Sequence, residues 1–169
     1  MMFCVNDYVV YGSEGVCKVE DIGKPTISGL DKQKEYYTLV PFYRKGKIYT
    51  PTDSTILMRK VITKESAEEL IARINEISPV LDVPRDSKLA MEFYKGIVKT
   101  HECEKLISII KHVFEKQREL VAEKKNVPAV DLRYMKIAED MLYGELGFAL
   151  NIKPADVRGY IIRSCEMEM

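Results

Sequence analysis

Residues 7–22 read DYVVYGSEGVCKVEDI, two strand-like runs joined by a short link with a glycine at each end. The first run consists mainly of β-branched and aromatic residues, which favour extended backbone. The second run sets apolar Val16, Val19 and Ile22 among charged side chains, an imperfect form of the alternation expected of a half-buried strand. Because glycine tolerates the backbone angles of tight turns, the link predicts a reversal of the chain. This stretch therefore predicts two antiparallel strands near the start of the protein.

The pattern of short strands and turns continues to about residue 60. Loop-forming residues occur at 23–25 and 28–31, with a short extended segment at 26–27 between them. Further strands are predicted at 36–40 with 42–43 as a continuation, at 48–51 after a hairpin turn at 44–47, and at 55–58. Five short strands separated by turns indicate a small antiparallel β-barrel or a strongly bent sheet.

The apolar spacing becomes helical after residue 63. Apolar residues then lie three and four apart, at Ala67, Leu70, Ile71, Ile74 and Ile77. Ser66 and Glu69 have the spacing of a capping box, which is typical of a helix start, and prolines at 79 and 84 interrupt the pattern. Further helices are predicted at about 86–99, 102–125, 130–150 and 154–165, the last beginning at a proline. The helix at 130–150 has an apolar side formed by Leu132, Met135, Ala138, Leu142 and Leu146.

The predicted fold class is therefore α+β. A small antiparallel β-barrel at 1–62 precedes an all-α helical bundle at 63–169, and the boundary lies at 62 or as late as 84. The 169 residues leave no room for a large enzyme with a separate cofactor domain, and 46% hydrophobic residues exclude wholesale disorder.

Charge and hydropathy exclude further classes of protein. Lys and Arg together number 26 and are balanced by 26 Asp and Glu, so this is not a uniformly basic nucleic-acid binder. No apolar run approaches the roughly 20 residues that cross a bilayer, and the start lacks the pattern of a signal peptide. We therefore expect a cytoplasmic protein without a membrane partner.

The four cysteines are scattered, at positions 4, 17, 103 and 165, without a C-x-x-C pair. Apolar neighbours of Cys4, Cys17 and Cys103 predict small buried side chains rather than metal ligands or disulfides. Carboxylate pairs such as Glu139 and Asp140 are interpreted as solvated helix faces. A glycine pair at 144 and 147 is interpreted as a site of close helix packing. No metal, cofactor, catalytic residue or small-molecule substrate is predicted, and the remaining enzymatic alternative is a Cys103 nucleophile with nearby His101.

Interaction chemistry is better supported than catalysis. A small bent sheet leaves strand edges on which a partner can pair, and tyrosine, which is enriched at interfaces, is frequent in the first 50 residues. In the helical part, residues 85–136 contain twelve basic and eight acidic side chains. Lys88, Lys95 and Lys99 follow one stripe of a helix, either as a solvated face or as a surface for phosphates.

The opening phrase resembles the CarD family of bacterial transcription regulators. The resemblance lies in Phe3-x-Val5-x-Asp7-x-Val9-Val10-Tyr11-x-x-x-Gly15-Val16 and continues through Ile22, Gly29, Tyr36-Tyr37-x-Leu39 and Pro51. It extends more loosely through Lys105 to Phe114, and then through Ala138, Leu142, Glu145 and Leu146. It covers nearly the whole chain to about residue 150.

The resemblance implies a Tudor-like amino-terminal domain that docks on the RNA polymerase β subunit, as in the transcription-repair coupling factor. It further implies that the helical domain contacts promoter DNA at the upstream edge of the melted bubble and stabilises the open complex, which gives a nucleoid-associated location. By position and charge, the polymerase-binding candidates are Lys24, Arg44, Lys45, Lys47 and Tyr49, and the DNA-binding candidates are Arg85, Lys88, Lys95 and Lys99.

The sequence departs from the family at two places. Members often carry an Asn-Trp pair whose Trp acts as a wedge in DNA, whereas the matching stretch here is Arg85-Asp86-Ser87-Lys88 and the chain has no Trp. Barrel positions at which members tend to carry basic polymerase contacts are here Pro25 and Tyr49. We therefore interpret the chain as a divergent member with weak, non-sequence-specific DNA contact. The alternative is a protein–protein interaction module that binds polymerase without DNA contact.

Overall fold

The computed structural model describes residues 2–165, which form two compact units, one ending at Val61 and the other beginning at Ile62. Residue 1 and the last part of the 151–169 tail, residues 166–169, lie outside the described residues. The first unit contains strands and the second contains helices, so the predicted α+β class is confirmed. No helix among the described residues is both long and apolar enough to cross a bilayer.

Five strands form one antiparallel sheet in the first unit. They are β1 (Tyr8–Tyr11), β2 (Gly15–Gly23), β3 (Tyr36–Pro41), β4 (Ile48–Pro51) and β5 (Met58–Lys60). Their order across the sheet is β4-β3-β2-β1-β5. A short 3₁₀ helix, Gly12–Glu14, connects β1 to β2. The predicted antiparallel sheet is confirmed, and its closure into a Tudor-like barrel stays a prediction.

Three local strand predictions are wrong. Residues 26–27 are not in a strand. Residues 42–43 lie beyond the end of β3, and the last bond of its pairing with β2 is donated by the Phe42 N–H to the Val16 carbonyl at 2.9 Å. Residues 55–57 precede β5, because the Ser54 hydroxyl accepts a hydrogen bond from the Ile56 N–H at 3.2 Å. Such a side-chain-to-backbone bond competes with the extended pairing of a strand.

One face of the sheet carries the core of the first unit. Its buried residues are Phe3, Val9, Tyr11, Cys17, Val19, Tyr37 and Leu39. A bulge between Val19 and Asp21 bends β2, because an extra residue on one strand increases local twist. The Tyr11 hydroxyl donates to Thr50 Oγ1 at 3.0 Å although two strands lie between β1 and β4. The sheet is therefore strongly curled around this core.

The second unit contains five helices: α1 (Lys64–Ala72), α2 (Ser87–Val98), α3 (Cys103–Ala122), α4 (Ala129–Leu150) and α5 (Pro154–Cys165). The predicted positions of the last four are confirmed. Thr63, not Ser66, caps α1, because its hydroxyl accepts a hydrogen bond from the Ser66 N–H at 3.1 Å. Leu132 is exposed rather than buried, because Asp131 and Tyr134 are the buried residues in the first turns of α4.

Two predictions about side-chain environment are corrected. Cys4 is exposed, because its N–H donates to Asp7 Oδ2 at 2.8 Å in a tight turn, and neighbouring Phe3 enters the core instead. Glu139 is half-buried rather than solvated, and burial raises the pKa of its carboxyl. Cys17 is buried as predicted, and burial raises the pKa of its thiol to about 11.

Candidate functional site

The basic turn between β3 and β4 is exposed, but most of its charge is already paired. Arg44 forms an ion pair with Glu14, and Lys47 Nζ lies 2.8 Å from Glu20 Oε2. The hydrogen bond that Lys47 donates to Glu20, together with the negative charge of the Glu20 carboxylate, raises the pKa of Lys47. Lys45, also exposed, forms no ion pair within the described part of the chain. The turn therefore presents one unpaired cation beside two ion pairs.

Tyr49 lies on β4, at one edge of the sheet, opposite Thr38 of β3. Lys47 directly precedes β4. Exposed Lys24 directly follows β2, and the register of β2, β3 and β4 places it near the other end of β4, where Pro51 lies. The first and last residues of β4, Ile48 and Pro51, are three positions apart and therefore about 10 Å apart. The predicted polymerase-binding residues are thus distributed along this side of the sheet rather than gathered at the turn.

Three aromatic residues outside the predicted polymerase-binding set form a cluster. The Tyr8 and Phe42 rings are 6.2 Å apart between centroids, the Phe42 and Tyr43 rings are 4.9 Å apart, and both pairs are edge-to-face. We call these three residues the aromatic cluster. Strand alternation could have indicated that Tyr8 and Phe42 face away from the core. Each follows or precedes a buried residue, Val9 for Tyr8 and Pro41 for Phe42, and neighbouring side chains in a strand point to opposite faces.

Residues 3–62 match the family model of the CarD-like/TRCF RID domain. This unit is a CarD-like/TRCF RID domain. The RID domain is an RNA polymerase-interacting domain, a protein-interaction module rather than a known class of enzyme. The predicted family membership is confirmed over these residues. No curated protein matches the chain.

In the helical unit, the four predicted DNA-contacting cations lie on α2 or within two residues of its ends. Arg85 and Lys88 are exposed at its start, and Lys99 is exposed at its carboxyl end. Lys95 Nζ lies 3.8 Å from Glu92 Oε1 on the same helix. A pair at this distance on a helix surface stabilises by a few tenths of a kcal/mol, so Lys95 remains available to a phosphate.

Other acidic residues near this stripe are paired elsewhere. Glu102 pairs with Lys105 at 3.2 Å, and Glu104 pairs with Arg73. Both carboxylates therefore have cationic partners outside the stripe. Among Glu92, Glu102 and Glu104, Glu92 is therefore the one paired with a stripe residue.

Cys103, the residue of the enzymatic alternative, has a carboxylate as a hydrogen-bond partner. Cys103 Sγ donates to Glu145 Oε1 at 3.3 Å, and Glu145 Oε2 accepts a hydrogen bond from the Ile62 N–H at 3.1 Å. Glu145 is buried, so it joins the start of the helical unit to α3 and α4. A cleft in this unit, lined by residues including Arg73, Glu76 and Glu104, contains neither Cys103 nor His101.

Proposed function

We propose that this protein is a transcription regulator that docks on the RNA polymerase β subunit through its RID domain and contacts promoter DNA through its helical domain. Through both contacts it changes the stability of the open complex. The observation that carries this proposal is the match of residues 3–62 to an RNA polymerase-interacting domain. The exposed cationic stripe on α2 supports the DNA contact.

The proposed polymerase surface comprises Lys24, Arg44, Lys45, Lys47 and Tyr49. It combines an edge strand, to which a partner strand can be added, with cations that steer an acidic partner. Because Arg44 and Lys47 already have carboxylate partners, Lys45 is the cation of the basic turn that is most available to an acidic partner. Charge at this surface should act mainly on the association rate.

The docking proposal is tested with the isolated polymerase β subunit and the variant Lys45→Glu/Lys47→Glu. We expect weaker binding, with a larger loss at low than at high salt, because salt screens exposed charges. The matched control is Lys32→Glu/Lys60→Glu, which reverses two exposed lysines elsewhere in the same domain. An affinity equal to that of the wild type would remove the basic turn from the polymerase surface.

The proposed DNA surface comprises Arg85, Lys88, Lys95 and Lys99, which would contact phosphates with little reading of sequence. Three or four such contacts correspond to weak binding by the free protein, on the order of 10⁻⁴ to 10⁻⁶ M. Docking on polymerase makes this contact intramolecular, at a high effective concentration. Weak phosphate contacts are then sufficient to prolong the promoter complex.

The DNA proposal is tested by the lifetime of promoter complexes formed with polymerase and Lys88→Glu/Lys95→Glu/Lys99→Glu. We expect a shorter lifetime than with the wild type, while docking on polymerase is unchanged. The matched control is Lys124→Glu/Lys125→Glu/Lys136→Glu, which reverses three exposed lysines outside α2. Equal lifetimes for wild type and the α2 variant would exclude DNA contact by this stripe.

A second candidate function is a protein–protein module that binds polymerase without touching DNA. Leu81 and Leu89, before and within the first turn of α2, are 73% and 59% exposed, and such an interface would bury them. This second function predicts a different result in the lifetime measurement. Leu81→Ser/Leu89→Ser should shorten the lifetime of the promoter complex, whereas Lys88→Glu/Lys95→Glu/Lys99→Glu should leave it unchanged.

A further inference from the structure

The sheet of the RID domain has a second face with its own apolar content. Side chains alternate along a strand, so Tyr8, Val10, Val16 and Lys18 project away from the core-facing side. Val10 and Val16 are nevertheless buried, and they face each other in the register of β1 and β2. This second face is therefore apolar at its centre.

The aromatic cluster lies at this centre. The Phe42 N–H bonds the Val16 carbonyl at 2.9 Å, so Phe42 is held in register beside Val16. Phe42 is 51% exposed and Tyr43 is 46% exposed, although both rings pack edge-to-face on a neighbour. The rings are thus ordered by contacts within the domain and still present much of their surface to solvent.

Ordered, half-exposed aromatic rings have the properties of an interface anchor. Binding hot spots are enriched in large aromatic side chains, and rings that are held in place before binding lose little conformational entropy. Cations stand next to the cluster, since Arg44 and Lys45 follow Tyr43 directly and Lys18 is opposite Tyr8. A complementary partner surface is therefore an apolar hollow with acidic residues at its rim.

We propose that the aromatic cluster of Tyr8, Phe42 and Tyr43 is the apolar anchor of the contact with RNA polymerase, and that the basic turn is its polar rim. This inference rests on the proposed function and deepens it, because it assigns the binding free energy to rings outside the predicted polymerase-binding residues. The occupant is polymerase because this unit is an RNA polymerase-interacting domain. The neighbouring cations match an acidic rim on that partner.

The test uses the full chain, polymerase holoenzyme and the variant Phe42→Ala/Tyr43→Ala. We expect the dissociation constant to rise about 30-fold or more, as for a central hot spot, mainly through faster dissociation. The loss should be similar at low and high salt, because apolar contact is not screened. The matched control is Val5→Ala/Ile27→Ala, which removes apolar side chains of the same domain that are 46% and 39% exposed. This control should bind as the wild type does.

The single variant Tyr43→Ala guards against unfolding, because it leaves the contact between the Tyr8 and Phe42 rings in place. When the circular dichroism spectrum of Tyr43→Ala matches that of the wild type, we expect its dissociation constant for polymerase to be about 5-fold higher or more. The inference is overturned when a folded Tyr43→Ala or Phe42→Ala/Tyr43→Ala protein binds polymerase as tightly as the wild type. It is also overturned when the Val5→Ala/Ile27→Ala control loses as much affinity as Phe42→Ala/Tyr43→Ala does. The proposed function fails separately, when wild-type protein binds holoenzyme but not the isolated β subunit.

Discussion

Asp131 is 1% exposed and has two partners from neighbouring helices. Its Oδ1 accepts a hydrogen bond from the Tyr94 hydroxyl at 2.5 Å, and its Oδ2 lies 2.8 Å from Lys116 Nζ. The Tyr94 ring stacks on Tyr134 with centroids 5.3 Å apart. Burial, together with the hydrogen bond to Asp131, raises the pKa of Tyr94, so this hydroxyl stays a donor. One carboxylate therefore connects α2, α3 and α4.

Replacing Asp131 with alanine should strongly destabilise the helical unit. Lys116 and the Tyr94 hydroxyl would lose their common partner, and removing one member of a buried pair costs about 3–5 kcal/mol. Because the chain has no Trp, the free energy of unfolding is measured by circular dichroism at 222 nm in urea. The control Asp140→Ala removes the carboxylate of an exposed pair with Lys136 and should change stability by less than about 0.5 kcal/mol. Similar losses in both variants would contradict the role of burial.

His112 should make stability depend on pH. Burial, followed by the charge of Lys116, lowers the pKa of His112 below its ordinary 6.5. The unfolded chain therefore binds a proton near pH 6.5 that the folded chain does not, and stability falls as pH drops from 6.5 to the lower folded pKa. The expected slope is at most about 1.4 kcal/mol per pH unit.

Urea unfolding between pH 7.5 and 5 measures this effect, with His112→Gln as the comparison. The variant should lose the downward slope in this range. Glu139 acts in the opposite direction at lower pH, because its raised pKa favours the folded state as that carboxyl is protonated. A Glu139→Gln background removes this contribution, and an unchanged slope in His112→Gln would assign the pH dependence to other groups.

At the scale of elements, two helix glycines have opposite surroundings. A Cβ on Gly147 of α4 would lie 2.9 Å from the Ile152 carbonyl oxygen and 3.2 Å from the Pro154 nitrogen, whereas a Cβ on Gly96 of α2 would meet nothing within 4 Å. The close approach at Gly147 is made by Ile152 in the turn after α4 and by Pro154, the first residue of α5. The start of the next helix therefore lies against Gly147, in line with the sequence interpretation of close helix packing.

Substituting alanine at these two glycines should therefore change stability in opposite directions. Gly147→Ala should destabilise by about 1–3 kcal/mol, because backbone atoms of the turn must move to make room. Gly96→Ala should stabilise by about 0.5–1 kcal/mol, since alanine restricts the unfolded chain and favours helix. Thermal unfolding of the two variants compares them directly, and a stabilised Gly147→Ala protein would contradict the packing described at this turn.

At the scale of the whole molecule, charge is divided between two units with separate cores. The basic turn belongs to the RID domain, and the α2 stripe belongs to the helical unit. Each unit carries its own proposed partner surface, so the two contacts should differ in their response to salt. Protein contact at the sheet loses steering when salt is added, whereas phosphate contact loses affinity through uptake of counterions.

The salt dependence of promoter-complex binding should therefore report the helical unit. Each phosphate contact contributes a log–log slope of about −0.9, so Lys88→Glu/Lys95→Glu/Lys99→Glu should flatten the slope by roughly 2.7. Binding to polymerase without DNA should keep its wild-type slope in this variant. The measurement is a titration from 50 to 200 mM salt, a range in which phosphate-contacting proteins respond strongly. Equal slopes with promoter DNA would favour the protein-only function.

Much of the architecture could be predicted from sequence because its signals are local. Strand alternation, glycine turns and apolar residues three and four apart placed the sheet at the start of the chain and four helices within a few residues of their ends. The errors also have local causes: hydroxyls of Thr63 and Ser54 bond backbone groups a few residues away and move the start of α1 and of β5.

The order of strands and helices, the RID opening phrase and the cationic stripe of α2 could be recognised without a structure, because each depends on residues close together in the chain. Packing between distant elements pairs Glu14 with Arg44, buries Asp131 between two partners and brings Tyr8 into contact with Phe42. The two members of each of these contacts are 15 to 37 residues apart in the sequence. Side-chain period fixes which face a residue takes within its own element, whereas the packing of distant elements sets which faces meet and which charges remain exposed.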